Sequence, residues 1–266
     1  MPAKKSLSRF TKANMEAWDQ VAPMHKRALP EKLAAALKGK RPFKFDEGEL
    51  KLLKTLPVKG KAVAHLCCNS GIELISLERM GASRCVGFDI SKEFVTIAKS
   101  MAELGRSKSA FVQSDVYEIP REYHGKFDIV FISVGTLGWM PDLERFLSVA
   151  SKLLKSKGAI YINDTHPFMN MMSVEPKDGL TPQYSYFRKK PIIESQGLDY
   201  VGKKSYQSKR KYWFQHTLGE LFAALAHSGF QLERFEESPR DKSHDFHHLE
   251  KGKVQLPMMM TIVARK

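Results

Sequence analysis

Residues 61–163 repeat one pattern: a short apolar run, then an amphipathic stretch with helical spacing, then another apolar run. Lys61–Cys67, Arg84–Asp89, Ser109–Gln113, Phe127–Ser133 and Ala159–Asn163 read as five strands. They are apolar enough to be buried on both faces, as parallel strands are. Between them, Phe94, Ile97, Ala98 and Met101 recur at helical spacing, and so do Leu143, Phe146, Leu147, Ala150 and Leu154. Ser91 is placed to cap the first of these helices, Gly81 to end the helix before it, and Lys157-Gly158 to end the last. Alternation of this kind predicts an α/β fold: a doubly wound, mostly parallel sheet with right-handed crossovers. Phe230–Phe235 and Met258–Ala264 add two strands, expected as an antiparallel hairpin at the sheet edge, which makes seven.

The flanks differ from this centre. Residues 12–38 read as helical, punctuated by Pro23 and Pro30, and 49–56 as a short helix. The organisation expected is a helical arm over 1–61 and a sheet domain over 62–266. Residues 166–211, rich in Pro, Met, Lys and aromatics, form an insertion too long for a plain connection. Phe168, Met169, Met171, Met172, Tyr184, Tyr186 and Phe187 would make it an apolar lid, and His216–His227 a following helix capped by Gly229.

Charge follows the same division. The chain of 266 residues is net +14; residues 1–61 are net +9, 62–165 neutral and 166–266 net +5. The basic arm and the cluster Lys203, Lys204, Lys209, Arg210 and Lys211 are either a solvated surface or a face for an acidic partner such as nucleic acid. The neutral centre suits a pocket for a small ligand. No run reaches the roughly 18 apolar residues of a membrane span, and the basic start is followed by no apolar stretch, so no secretory signal is expected. Cys67, Cys68 and Cys85 cannot build a disulfide framework, and reduced thiols in a cytoplasmic protein are expected. His244, His247 and His248 lack a metal-protease spacing and lie in a polar stretch, so no metal is expected there.

In an open parallel sheet the ligand lies at the carboxyl ends of the strands. Three features belong there: the turn Cys67-Cys68-Asn69-Ser70-Gly71, the acid Asp89 ending the second strand, and Asp115 just past the third. An acid about 20 residues beyond the turn suits ribose hydroxyls. The turn has no G-x-G-x-x-G, and side chains at Cys67 and Asn69 disfavour close approach by a pyrophosphate. A nucleoside without phosphates fits better, with Asp115 facing an exocyclic amine. A dehydrogenase is the least favoured class.

Taken together, these residues resemble a class I S-adenosylmethionine (AdoMet)-dependent methyltransferase, of the bacterial subgroup whose first motif reads roughly H-L-x-C-N-x-G. Here that motif is His65-Leu66-Cys67-Cys68-Asn69-Ser70-Gly71. The resemblance continues through Asn14-x-x-x-Trp18-Asp19 with Ala22 and His25, then Asp89-Ile90-Ser91, Ser114-Asp115-Val116 and Ser133–Leu137. It ends in Asp164-Thr-His166-Pro-Phe168 and Tyr212-Trp213-x-x-His216. It implies AdoMet as cofactor. The backbone at Cys67–Gly71 would hold the methionine part, Asp89 the ribose, Asp115 and Val116 the adenine. Ser133 would offer its carbonyl to the amino group, and Trp18 and His25 would cover the cofactor. A general base is needed only if the acceptor must lose a proton. His166 is the first candidate, His216 and Tyr212 the next. The acceptor expected is a small molecule. An RNA or protein acceptor using the basic surface, and a non-catalytic AdoMet-binding protein, are the alternatives.

Overall fold

The computed structural model describes residues 4–37, 45, 47–202, 204–243 and 245–266, with side chains of the first helix from Leu7 to Arg27. Lys203, His244 and residue 38 of the expected first helix lie outside the described residues. The chain begins with α1 (Lys4–Leu37) and α2 (Glu47–Leu53). The alternating part follows as β1 (Ala62–Leu66), α3 (Ile72–Arg79), β2 (Arg84–Asp89), α4 (Lys92–Leu104), β3 (Ala110–Gln113), β4 (Phe127–Ile132), α5 (Leu143–Leu153) and β5 (Leu154–Thr165). Then come β6 (Ile192–Gln196), β7 (Gln207–Trp213), α6 (Leu218–His227), β8 (Gln231–Ser238) and β9 (Met259–Arg265).

Seven strands form one sheet in the order β3-β2-β1-β4-β5-β9-β8. The first five are parallel, and β9 runs antiparallel between β5 and β8. Side-chain alternation builds a core on each face. On one face Leu66, Phe88, Val130 and Ile132 pack against Phe146, Leu147 and Ala150 of α5 and Leu221 and Leu225 of α6. On the other, Val63, Phe131 and Tyr161 pack against Leu74 and Ile75 of α3 and Phe94 and Ile97 of α4. The expected doubly wound sheet is therefore present, with its edge hairpin. Ser91 caps α4 by accepting the Phe94 N–H at 3.1 Å.

Three local expectations are corrected. α5 ends at Leu153, and Lys157-Gly158 lie inside a long β5, where the register to β4 shifts between Phe127 and Ile129. Lys157 takes φ 63°. The dipeptide makes a strand irregularity rather than a helix end, because pairing with β4 resumes at Ala159. α1 starts at Lys4 and runs through Pro23 and Pro30. Each proline removes a backbone hydrogen bond at about 3 kcal/mol, which packing against β7 and α4 offsets. Finally, the insertion is not a plain lid. It contains β6 and, extending to Trp213, β7, paired antiparallel as a separate two-stranded sheet. Met169 and Met172 are buried against Phe246 and Met258 in a small core of their own, while Phe187 is 72% exposed.

The arm and the insertion are joined. Asn14, buried on α1, accepts the Tyr212 N–H at 2.7 Å and donates to the Tyr212 carbonyl at 2.9 Å, so it completes β7 as a further strand would. Gln20 repeats the pairing with Gln207 O and the Lys209 N–H, and Phe10 packs edge-on against Tyr212 and Phe214. Asn14→Ala leaves two backbone groups of β7 without partners, and is expected to cost about 2 kcal/mol in urea unfolding. It should also open the 192–213 hairpin to limited proteolysis. Cleavage at the wild-type rate would show that the arm does not hold the hairpin.

Candidate active site

The sheet register sets the site. Leu66 pairs with Phe88 and Ile132, and Asp89 with Gln113, so β1, β2, β3 and β4 end level with one another. The strand order reverses between β1 and β4, which is where a crevice opens in such sheets. Ala62–Leu66 of β1, Cys85–Phe88 of β2 and Ile129–Ile132 of β4 are buried, yet Cys67, Asn69, Asp89, Ile90, Asp115 and Ser133 all retain partial exposure. Those are the residues that the sequence places at the ligand.

The first turn is shaped by backbone conformation. Cys67, Asn69 and Gly71 have φ of 54°, 49° and 74°, all in the left-handed region. Non-glycine residues enter that region at roughly 1–2 kcal/mol, asparagine with least difficulty. At Gly71 a Cβ would stand 2.4 Å from the Phe111 ring, so no side chain fits there. The turn is held by Asp89, whose Oδ2 accepts the Asn69 N–H at 2.8 Å and whose Oδ1 accepts the Ser91 N–H at 2.9 Å. Ser91 donates in turn to Asp19 of α1, tying the arm to the same corner.

Burial pushes the Asp89 carboxyl up to about 6 against its ordinary 3.8, with the nearby Asp19 adding to the rise and the backbone donors opposing it. The folded chain therefore holds a proton on Asp89 that the unfolded chain has lost between about pH 4 and 6, and this group's contribution to stability falls as pH rises through that window. A cationic ligand reverses the preference, because it favours the ionised carboxylate. Its affinity is expected to rise as pH passes upward through 6, and calorimetry between pH 5 and pH 7.5 with AdoMet measures this. A flat profile would place the positive centre of the ligand away from Asp89.

The loop after β4 has its own clamp. Asp164 of β5 is 3% exposed, and its oxygens accept four backbone N–H groups: Gly135 at 2.6 Å, Thr136 at 3.1 Å, Leu137 at 2.8 Å and Thr165 at 2.8 Å. Desolvation still holds its pKa above the ordinary value. The Cys67 thiol is pushed well above its usual range by burial first, then by the carboxylates of Asp89, Asp115 and Asp164. The crevice of this basic protein is thus itself acidic.

The remaining candidates fall in three places. Asp115 accepts the Tyr117 N–H at 3.0 Å through Oδ1, Val116 is buried, and the Ser133 carbonyl accepts the Thr136 hydroxyl at 2.8 Å. His65 is buried, its Nε2 lies 3.1 Å from Ser133 Oγ, and desolvation lowers its pKa to about 4, so it is neutral. Trp18 and His25 stand in an edge-to-face aromatic group with Phe94 and Tyr200. His25 is fully buried, with Nε2 donating to the Leu198 carbonyl at 3.2 Å, so it locks the arm to the insertion. His166 lies at the β5–β9–β8 side. Its Nδ1 accepts the Phe168 N–H at 3.1 Å and its Nε2 faces Glu237 at 3.1 Å. His216 Nε2 donates to the Met140 carbonyl at 2.8 Å, and burial keeps its pKa below the ordinary value. The Tyr212 ring packs on Phe10 of the arm. Trp139 and Tyr200 are not singled out from the sequence for this region, and Trp213 stands in the Tyr212-Trp213-x-x-His216 segment without an assigned role; the three come from distant segments.

Among the described residues no three His, Cys, Asp or Glu side chains are grouped as a metal set, the three cysteines are free, and no helix is long and apolar enough to cross a membrane.

Comparison with known proteins agrees with this architecture. Residues 64–162 match the family model Methyltransf_11, described as a methyltransferase domain. The chain is 24% identical over 230 residues to an uncharacterized protein of Haemophilus influenzae, covering 81% of this chain and 85% of that one. It is 25% identical over 168 residues to a ubiquinone biosynthesis O-methyltransferase of Pelagibacter ubique, covering 60% of this chain and 63% of that one. It shares its fold, with TM-score 0.61 and 22% identity over 82% of this chain and 96% of the other, with a solved structure from Listeria monocytogenes described as a putative S-adenosylmethionine dependent methyltransferase. Residues 64–162 thus match a methyltransferase domain, and they carry the β1–β5 part of a sheet shared with that solved structure.

Proposed function

We propose that the chain methylates a small-molecule acceptor, with AdoMet held across the level ends of β1 to β4. The observation that carries this is the group of carboxylates around Cys67, with Asp89 and Asp115 partly exposed at the strand ends and Asp164 buried behind them, set in a basic protein. It suits a ligand bearing a sulfonium and an ammonium, and it disfavours a dinucleotide diphosphate. The donor set fits: a turn with backbone in the left-handed region, Asp89 beside it, Asp115 and Val116 one strand further, and Ser133 opposite. In this reading the methionine part lies along Cys67–Gly71, the ribose at Asp89 and Ile90, and the adenine at Asp115 and Val116. The amino group meets the Ser133 carbonyl, and the arm with the insertion forms a cover through Trp18 and His25. The domain division follows: arm 1–61, and sheet domain 62–266 with its insertion. The activity of the Pelagibacter relative, an O-methyltransferase by name, supports a small acceptor.

When bound, the cofactor supplies a methyl group on a sulfonium whose departing thioether is neutral. What this chain adds is position and exclusion of water, and near-attack placement is worth about 7–11 kcal/mol. His216 adjoins the turn after β4, whereas His166 lies at the β5–β9–β8 side with its Nε2 at Glu237, so His216 is the better placed base for a protic acceptor. His216→Gln is expected to lower turnover about 10²-fold or more and alter the acid limb of the pH profile, with affinity for S-adenosylhomocysteine (AdoHcy) kept. His166→Ala should keep both far closer to wild type. The reverse ranking would move the base to His166.

A second reading, an RNA acceptor, is favoured by one observation: α1 lies along β7, so the basic arm adjoins exposed Lys209 and Arg210. RNA affinity falling steeply between low and moderate salt would support it.

A further inference from the structure

We propose that Trp18, Trp139 and Trp213 form the wall of the acceptor site, and that the acceptor is a flat, uncharged aromatic ring. This rests on the methyltransferase reading and names its substrate class.

The chain contains three tryptophans, and all three meet. Trp18 of α1 packs edge-to-face on Trp139 at 5.4 Å, and Trp139 on Trp213 of β7 at 5.0 Å. They come from the arm, the turn after β4 and the insertion. Each remains partly exposed, whereas Phe94, against which Trp18 also packs, is buried. Large rings that meet without closing into a core leave faces for another ring at offset-stacked or edge-on geometry.

The wall stands on the rim of the crevice. Trp213 is pressed on Gly138 so closely that a Cβ there would lie 2.0 Å from its ring, and the Phe214 N–H donates to the Gly138 carbonyl at 2.7 Å. The same turn carries Trp139, is pinned by His216 at Met140, and follows the loop that Asp164 clamps. Charge narrows the class of acceptor. Among the described residues no ion pair joins a lysine or arginine to Asp89, Asp115 or Asp164, so an anionic acceptor would find no protein cation beside these carboxylates. A cationic one would meet the cofactor's sulfonium. Gln215, two residues beyond Trp213, is 6% exposed. Its Nε2 donates to the Pro167 carbonyl at 2.9 Å, and its Oε1 has no protein partner among the described residues.

The test is titration of the full chain, with and without AdoHcy, by tryptophan emission and calorimetry. The probes are catechol, indole and 2-naphthol, against cyclohexane-1,2-diol as the non-planar control. Saturable binding of at least one aromatic probe with a change in emission is expected, with the diol binding at least about tenfold more weakly. Trp139→Leu should weaken the aromatic probe about tenfold, and Trp139→Phe should restore most of it, with AdoHcy affinity and melting temperature unchanged in both. The proposal is overturned if no aromatic probe saturates, if the diol binds equally well, or if Trp139→Leu has no effect. Absence of AdoHcy binding in wild type would defeat the cofactor reading instead, and the titration without AdoHcy then decides the wall alone.

Discussion

Asp164→Ala is expected to destabilise the chain by about 4 kcal/mol or more, at the far end of the range for single substitutions. The carboxylate is buried and accepts four backbone N–H groups, three of them in Gly135–Leu137. Each buried donor left without an acceptor costs about 1–3 kcal/mol, and alanine puts nothing in their place. Removal of the buried charge recovers part of this, because desolvation already raises the Asp164 pKa. Asn is expected to fall between, since it keeps one acceptor oxygen and turns an amide N–H₂ toward the other donors. Urea midpoints for the two variants check the order. An Asp164→Ala midpoint within error of wild type would mean that the loop is not held by this side chain.

Asp89→Asn tests binding rather than stability. The substitution keeps the size and one acceptor, but removes the charge and sets an N–H₂ against one backbone donor. Because ionised Asp89 is disfavoured by burial in the free protein, the loss of one hydrogen bond and the relief of desolvation oppose each other, and the melting temperature should move little. A hydrogen bond from a ligand hydroxyl to a charged acceptor is worth about 1.5–3 kcal/mol, so AdoMet affinity should fall roughly 10- to 100-fold. Affinity within twofold of wild type would remove Asp89 from the binding surface.

The central sheet was legible because parallel strands buried on both faces leave continuous apolar runs that few other elements leave. Asp89 at the end of β2 and Ser91 at the cap of α4 followed from position alone. The strands of the insertion were hidden. Gln207–Trp213 carries Lys209, Arg210 and Lys211, and its own backbone pairs with β6 and with the Asn14 and Gln20 side chains of α1, which the side-chain types of β7 do not announce. The prolines of α1 signalled breaks that tertiary packing overrides. Asp164 stood in a recognised segment without an assigned role, since nothing local shows that its carboxylate reaches the turn after β4. Met169 and Met172 were expected over the ligand, but an apolar residue in an insertion fits a small separate core equally well.

The central claim is that the level ends of β1 to β4 hold an adenosyl sulfonium free of phosphate groups. Isothermal titration of the full chain with AdoHcy, AdoMet and NAD at neutral pH measures it directly. Saturable one-site heats with the first two and none with the dinucleotide are predicted; heat with NAD alone would contradict the account.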